Sequence, residues 1–157
     1  MKKNYTLLTL SLVLILSLGA IGCSSIGSNQ PKQVVISMFG AMEKDDKAAL
    51  AYILDLPELM KVVNEDYALQ SDNPRTFTSP QQILEDLTED GQTKLRWFAY
   101  QRIINKEEIL GETATVEVTF MDKDSSKAYL VKFGLHLVNE KWKIYSFNTV
   151  MDPQSEY

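Results

Sequence analysis

Three regimes of apolar spacing divide the chain. From about Tyr5 to Ala20 the residues carry no charge and are dominated by leucine, valine and isoleucine. From Pro31 to Leu87 apolar residues recur every three or four positions, the spacing of an amphipathic helix. Beyond Gly91 they recur every second position, the spacing of a half-buried strand.

The helical regime predicts four segments. Val34, Val35, Met38, Phe39 and Met42 share one stripe from Pro31 to about Lys44, and Pro31 suits a first turn. Asp45-Asp46 offers an N-cap for a short helix from Lys47 to Leu54. Asp55-Leu56-Pro57-Glu58 has capping-box spacing, and Leu59, Met60, Val63 and Tyr67 continue at helical intervals. After loop chemistry at Gln70 to Arg75, Ser79-Pro80-Gln81-Gln82 opens a fourth helix with Ile83, Leu84 and Leu87 as its apolar face. Gly91 is expected to stop it.

The alternating regime predicts four strands. The first is expected over Lys94 to Asn105, extending towards Leu110 before a turn at Gly111. Ala114, Val116, Val118 and Phe120 alternate with Thr113, Thr115, Glu117 and Thr119 in the second. Tyr129, Val131, Phe133, Leu135 and Leu137 mark the third, and Lys141 to about Val150 forms the fourth after a turn at Asn139-Glu140. Short turns between consecutive strands imply an antiparallel meander. Helices followed by such a sheet imply an α+β layered domain.

The opening segment has a different chemistry. Met1-Lys2-Lys3 is basic, the run that follows is apolar, and Ala20-Ile21-Gly22-Cys23 ends it with small residues and a cysteine. A basic start, an apolar middle and a small-residue exit make a secretory signal. The exit resembles a lipobox, although Ala20 stands where leucine is usual. That resemblance implies lipidation of Cys23 by a diacylglyceryl group, and two acyl chains suffice for stable anchoring. The chain is therefore expected to divide into a signal peptide over 1–22, a flexible tether over 23–30, one α+β domain over 31–150 and a tail over 151–157. The expected location is extracytoplasmic, held at a membrane by lipid, on the cell surface or the periplasmic side.

Composition narrows the partners. The chain has 16 basic and 21 acidic residues. With Lys2 and Lys3 set aside as part of the signal, 14 basic residues face 21 acidic, a net charge of −7. Such a domain repels phosphate backbones, so nucleic acid is excluded as an expected partner. Cys23 is the sole cysteine, so no internal disulfide can form.

An early helix pair, a short capped helix and a meander ending in Glu140-Lys141-Trp142-Lys143-Ile144 resemble the nuclear-transport-factor-2-like superfamily. Within it the chain is most similar to small bacterial lipoprotein-associated domains of unknown function. The resemblance covers about Pro31 to Val150. It implies a cone, with helices packed on the concave side of a curved four-stranded antiparallel sheet. Members include isomerases, cyclases, dehydratases and non-enzymatic binding or dimerising modules, so the fold does not fix the function.

Strand alternation sorts the polar candidates. If the apolar faces point inward, the cavity is expected to receive Trp97, Ala99, Gln101 and Ile103 from the first strand. Tyr129 comes from the third, and Trp142, Ile144, Ser146 and Asn148 from the fourth. Trp97, Gln101, Tyr129, Ser146 and Asn148 are the candidate ligand pocket. No acid or base lies in this set, and general acid–base chemistry needs one. The expected role is therefore a non-catalytic binding or dimerisation module without a cofactor. The alternative is a small isomerase- or cyclase-like enzyme, for which Asp55, Glu65, Asp66, Glu85 or Asp86 would have to reach in from the helices.

The opposite sheet face carries Phe98, Tyr100, Ile104, Leu130, Tyr145 and Phe147, the candidate interface for a homodimer or a protein partner. A sheet face this aromatic is either covered by a partner or buried by a bulge that shifts the register. His136, the only histidine, is expected on this outer face with Lys132 and Gly134. Asp122, Asp124 and Ser126 imitate the start of a calcium loop, yet Lys127 and Phe133 stand where its glycine and glutamate belong. A turn is expected there, and no metal site.

Overall fold

The computed structural model describes residues 30–69, 76–125 and 127–150, with side chains at all of these except 67–69. The signal segment, Cys23, the tether, the 70–75 loop, Ser126 and the tail lie outside the described residues.

Five helices precede four strands: α1 (Pro31–Glu43), α2 (Lys47–Ile53), α3 (Leu56–Leu69), α4 (Pro80–Asp86), α5 (Gln92–Phe98), β1 (Gln101–Leu110), β2 (Thr113–Met121), β3 (Ala128–Val138) and β4 (Lys141–Val150). The sheet is open and antiparallel throughout, in the order β1-β2-β3-β4. The α+β layering expected from the sequence is what the chain adopts.

Local chemistry sets most boundaries. Pro31 occupies the first turn of α1, where its missing N–H costs nothing. The Asp46 carboxylate accepts a hydrogen bond from the Ala49 N–H at 2.9 Å and caps α2. Asp55 does the same for α3, accepting from the Glu58 N–H at 3.4 Å. Between β3 and β4, Asn139 and Glu140 both take positive φ (49° and 62°), as a two-residue type I′ turn demands.

Two expectations fail at the helix-to-sheet junction. Gly91 does not stop α4, which ends at Asp86; Gly91 is the N-cap of α5. A Cβ there would lie 2.2 Å from the Asp86 carbonyl oxygen, so only glycine lets the chain turn this closely. The strand expected from Lys94 is instead helical up to Phe98, and β1 starts at Gln101. Thr93 and Trp97, four residues apart, form the buried face of α5.

The helices cover one face of the sheet, with α1 against β2 and β4 and α3 against β4. Ala114, Val116, Val118 and Phe120 of β2 and Val131, Phe133 and Leu135 of β3 point into this core. Leu54 adds a parallel bridge to Ile144 on the free edge of β4, and the Asp55 N–H donates to the Ile144 carbonyl at 2.8 Å. A second tie joins the two helical turns: Lys94 pairs with Asp45 at 2.5 Å and Lys47 with Glu89 at 2.8 Å.

Two bulges set which side chains face inward. One extra residue lies in β1 between Ile104 and Glu107, opposite Val118 and Val116. The other is in β4: Gly134 pairs with Ser146 but Leu135 pairs with Ile144, leaving Tyr145 as the extra residue. A single inserted residue moves every later side chain to the other face.

Candidate functional site

The middle of the cone is solid. Trp97 is only 2% exposed and stands at the centre of an aromatic cluster. Its ring centroid lies 5.9 Å from Phe39, 5.6 Å from Phe120, 5.5 Å from Phe133 and 5.3 Å from Phe147. Mostly edge-to-face contacts at these distances are favourable beyond simple burial. Tyr129 stacks on Phe120 at 5.0 Å and meets Tyr100 edge-on at 5.2 Å. The Arg102 guanidinium closes one side, 3.9 Å above the Phe98 ring, and donates to the Trp97 carbonyl at 3.2 Å. Burial pulls its pKa below the ordinary arginine value, against the opposing pull of Glu43.

Among the described residues, a pocket of about 60 Å3 lies between α3, α5 and β4. Val63, Asp66, Thr93, Arg96, Trp97, Phe147 and Thr149 line it. Burial, reinforced by Glu65, pushes the Asp66 carboxyl above the usual carboxylate range. Burial likewise drives the Tyr129 hydroxyl up to about 12, with Arg96 pulling the other way. The indole N–H of Trp97 and the hydroxyl of Tyr129 are buried without a hydrogen-bond partner among the described residues. A broader, open depression of about 490 Å3 lies beside α4 and α5, where Glu85, Asp86 and Asp90 gather near Phe77.

The five pocket residues named from the sequence do not converge. Trp97 is inside, but as a helical residue, and Tyr129 is inside on β3. Gln101 and Asn148 are exposed. Gln101 pairs with Met121 on the outer face because β1 begins later than expected; its inward residues before the bulge are Arg102 and Ile104, and after it Glu107, opposite buried Val116, accepts from the Lys32 N–H of α1 at 2.6 Å. Ile103 is outward for the same reason, and Ala99 caps α5. Ser146 is buried, yet it lies on the Gly134 side of β4, under the Tyr145 ring. Trp142 and Ile144 do face the core, as expected.

The six outer-face residues divide in the same way. Phe98, Tyr100, Ile104 and Phe147 pack against the core; for Phe147 this is the bulge-shifted outcome foreseen, whereas Phe98 is helical and Tyr100 and Ile104 come before the β1 bulge. Leu130 and Tyr145 remain outside. Near Tyr145 lies a contact that no local spacing announces: His136 Nε2 is 2.9 Å from Asp55 Oδ2, and its ring sits 4.9 Å from the Tyr145 ring. Asp55 thus caps α3 with one oxygen and meets the histidine with the other. At the β2–β3 turn, Asp122 Oδ1 accepts from the backbone N–H groups of Asp124 and Ser125, at 2.8 and 3.3 Å, as a turn residue does.

No family model matches the chain, and no curated protein matches it. Solved structures do. A protein designated as an Rd1NTF2 variant is 10% identical and superposes with a TM-score of 0.50 over 76% of this chain and 95% of its own. A protein of Streptomyces avermitilis, provisionally named a dehydratase of the NTF2-like family, is 14% identical over 78% of this chain and 95% of its own, with a TM-score of 0.49. A DUF4783 family protein of Bacteroides ovatus is 10% identical over 74% and 94%, with a TM-score of 0.45. Identities this low speak to architecture alone, and the architecture agrees with the helices-over-meander layout: this chain has the nuclear-transport-factor-2-like fold.

Proposed function

We propose that this chain is a lipid-anchored, extracytoplasmic module that works by binding rather than by catalysis. The observation that carries the reading is the filled cone. Sites for metabolite- or drug-sized ligands occupy roughly 300–1,000 Å3, whereas the interior opening beside Trp97 holds about 60 Å3, and the depression of about 490 Å3 beside α4 and α5 is an open hollow on the outside of the domain. Substrate and a catalytic pair do not fit in the interior opening together. The binding surface is then the outside of the domain, and Cys23 is the point of attachment to the membrane. No helix among the described residues is long and apolar enough to cross a membrane.

Cell fractionation tests the tether. Cys23→Ala is expected to move the protein from the membrane fraction to the soluble extracytoplasmic fraction. Full retention of that variant in the membrane overturns the anchor.

One observation favours the enzymatic alternative. Asp66 is a helix carboxyl raised by burial at the edge of the remaining opening, the kind of group that serves as a general base. It would act on a substrate of only a few heavy atoms, with the Trp97 and Phe147 rings beneath.

A further inference from the structure

Leu110 is the most exposed large apolar side chain among the described residues, at 70%, and its neighbour Ile109 is 49% exposed. Ile109 pairs with Ala114 and Leu110 with Thr113, so the two side chains leave opposite faces of the β1–β2 hairpin just before its turn. The turn is firmly held: Gly111 takes a φ of 61°, and the Thr113 hydroxyl donates to the Leu110 carbonyl at 3.0 Å. The Leu137 N–H donates to the Glu112 carbonyl at 2.8 Å, which ties this turn to the end of β3. The β1–β2 and β3–β4 turns therefore stand together at one end of the sheet. Tyr52, 42% exposed, lies at the same end, with the ammonium groups of Lys141 and Lys143 5.0 and 4.5 Å from its ring centre.

The chain enters the domain beside this end. The Lys32 N–H donates to the Glu107 carboxylate at 2.6 Å, and the Lys32 ammonium reaches the Asn105 carbonyl at 3.4 Å. The start of α1 is thus held at Glu107, three residues or about 10 Å along β1 from Leu110. The other end of β1, at Gln101, is six residues or about 20 Å away. From Cys23 to Pro31 the chain has eight residue steps, at most about 29 Å. We propose that this end of the sheet is a second membrane contact. The β1–β2 tip, Leu110 foremost, enters the interface of the bilayer that holds the Cys23 lipid, and Tyr52, Lys141 and Lys143 rest on the headgroups beside it. This inference rests on the reading of the chain as lipid-anchored at Cys23.

A bilayer suits this end better than the opposite one, where the turn from Asp122 to Lys127 contains no apolar residue. An aliphatic tip flanked by tyrosine and lysine can bury its carbon while the phenol and ammonium groups stay at headgroup level. Charge does not oppose the contact. Lys106 pairs with Glu108 at 3.1 Å, and Lys141 and Lys143 offset Glu112 and Glu140. This end therefore lacks the net negative charge of the whole domain, which anionic headgroups would repel. Two aliphatic side chains are too few to hold the domain alone. The Cys23 lipid makes their contact intramolecular, so a weak affinity suffices, and Cys23→Ala is still expected to release the protein.

The test uses the full-length chain incorporated into vesicles of phosphatidylcholine and phosphatidylglycerol, which are then floated. A polarity-sensitive fluorophore is attached to Glu112→Cys at the tip or to Asp124→Cys at the far turn. The label at 112 is expected to emit further to the blue and to be quenched by nitroxide-bearing lipid, whereas the label at 124 stays in water. Adding Leu110→Ser is expected to lower the ratio of embedded to wet label at 112 about tenfold, the loss for one leucine withdrawn from an apolar environment. A label at 112 as wet as the one at 124 overturns the contact, gives the tip to a protein partner and leaves the anchor standing. Embedding that Leu110→Ser does not change overturns the contact as well. Wild-type chain that does not float with the vesicles overturns the lipid anchor and this contact with it, so the two failures are separable.

Discussion

Asp55 and His136 are 81 residues apart in the chain and 2.9 Å apart in space. Through that contact the α2–α3 junction is fastened to the outer face of the sheet. The junction already bridges the edge of β4 through Leu54 and Ile144, so one short segment holds two parts of the sheet.

Removing Asp55 should therefore cost more than removing His136. Asp55→Ala loses an α3 cap and the histidine contact together, about 1–2 kcal/mol. His136→Ala loses one partly exposed contact, at most about 1 kcal/mol. Urea denaturation of the two variants gives the order directly. Equal losses would mean that the cap contributes nothing.

Three glycine and tryptophan substitutions separate tight from loose packing. Trp97→Ala removes the hub of the aromatic cluster and should destabilise by about 3–5 kcal/mol. At Gly134 an added Cβ would lie 2.3 Å from Ser146 Oγ and 3.1 Å from the Tyr145 ring. Gly134→Ala should then cost about 1–3 kcal/mol. Gly40, inside α1, has nothing within 4 Å of an added Cβ. Gly40→Ala should be neutral or stabilise by up to about 1 kcal/mol through helix propensity. Thermal melts of the three variants rank them.

Tyr129 sets a limit at high pH. Its hydroxyl titrates at about 12 in the folded protein, above the ordinary value of 10.0, because burial disfavours the phenolate. The folded state therefore holds this proton more tightly. The stability linked to it is present below pH 10 and is lost as pH rises through 12. Tyr129→Phe should abolish that part of the alkaline loss, read as a shallower fall in melting temperature between pH 10 and 12. An unchanged fall would show that the hydroxyl does not titrate with unfolding.

Asp66 has the same sign on the acid side. Its raised folded-state pKa means that ionisation above the ordinary value of 3.8 works against the fold. Asp66→Asn should stabilise the protein at pH 7 and lose that advantage as pH drops below 3.8. A variant less stable than wild type at pH 7 would show that the carboxylate has a favourable partner in the folded state.

Much of this architecture was legible in the residues, and the failures have identifiable causes. The stripes and caps of α1, α2 and α3 were readable because Pro31, Asp46 and Asp55 act locally. The β2 and β3 alternation was equally plain. The Lys94–Phe98 segment misled because a short apolar and aromatic run fits a buried helix turn or a strand equally well. The extra residue at Tyr145 left no composition signal, yet it placed Phe147 inside and Asn148 outside. The contact of His136 with Asp55 depends on how a helix junction docks against the sheet edge, and no local spacing encodes that.

The filled cone is the centre of this account, and a native mass spectrum of residues 28–157 tests it most directly. The expected spectrum shows the protein mass, or twice that mass, with no small molecule retained. A reproducible extra mass of metabolite size, lost on Trp97→Ala, would contradict the account and make the interior of the cone a binding site.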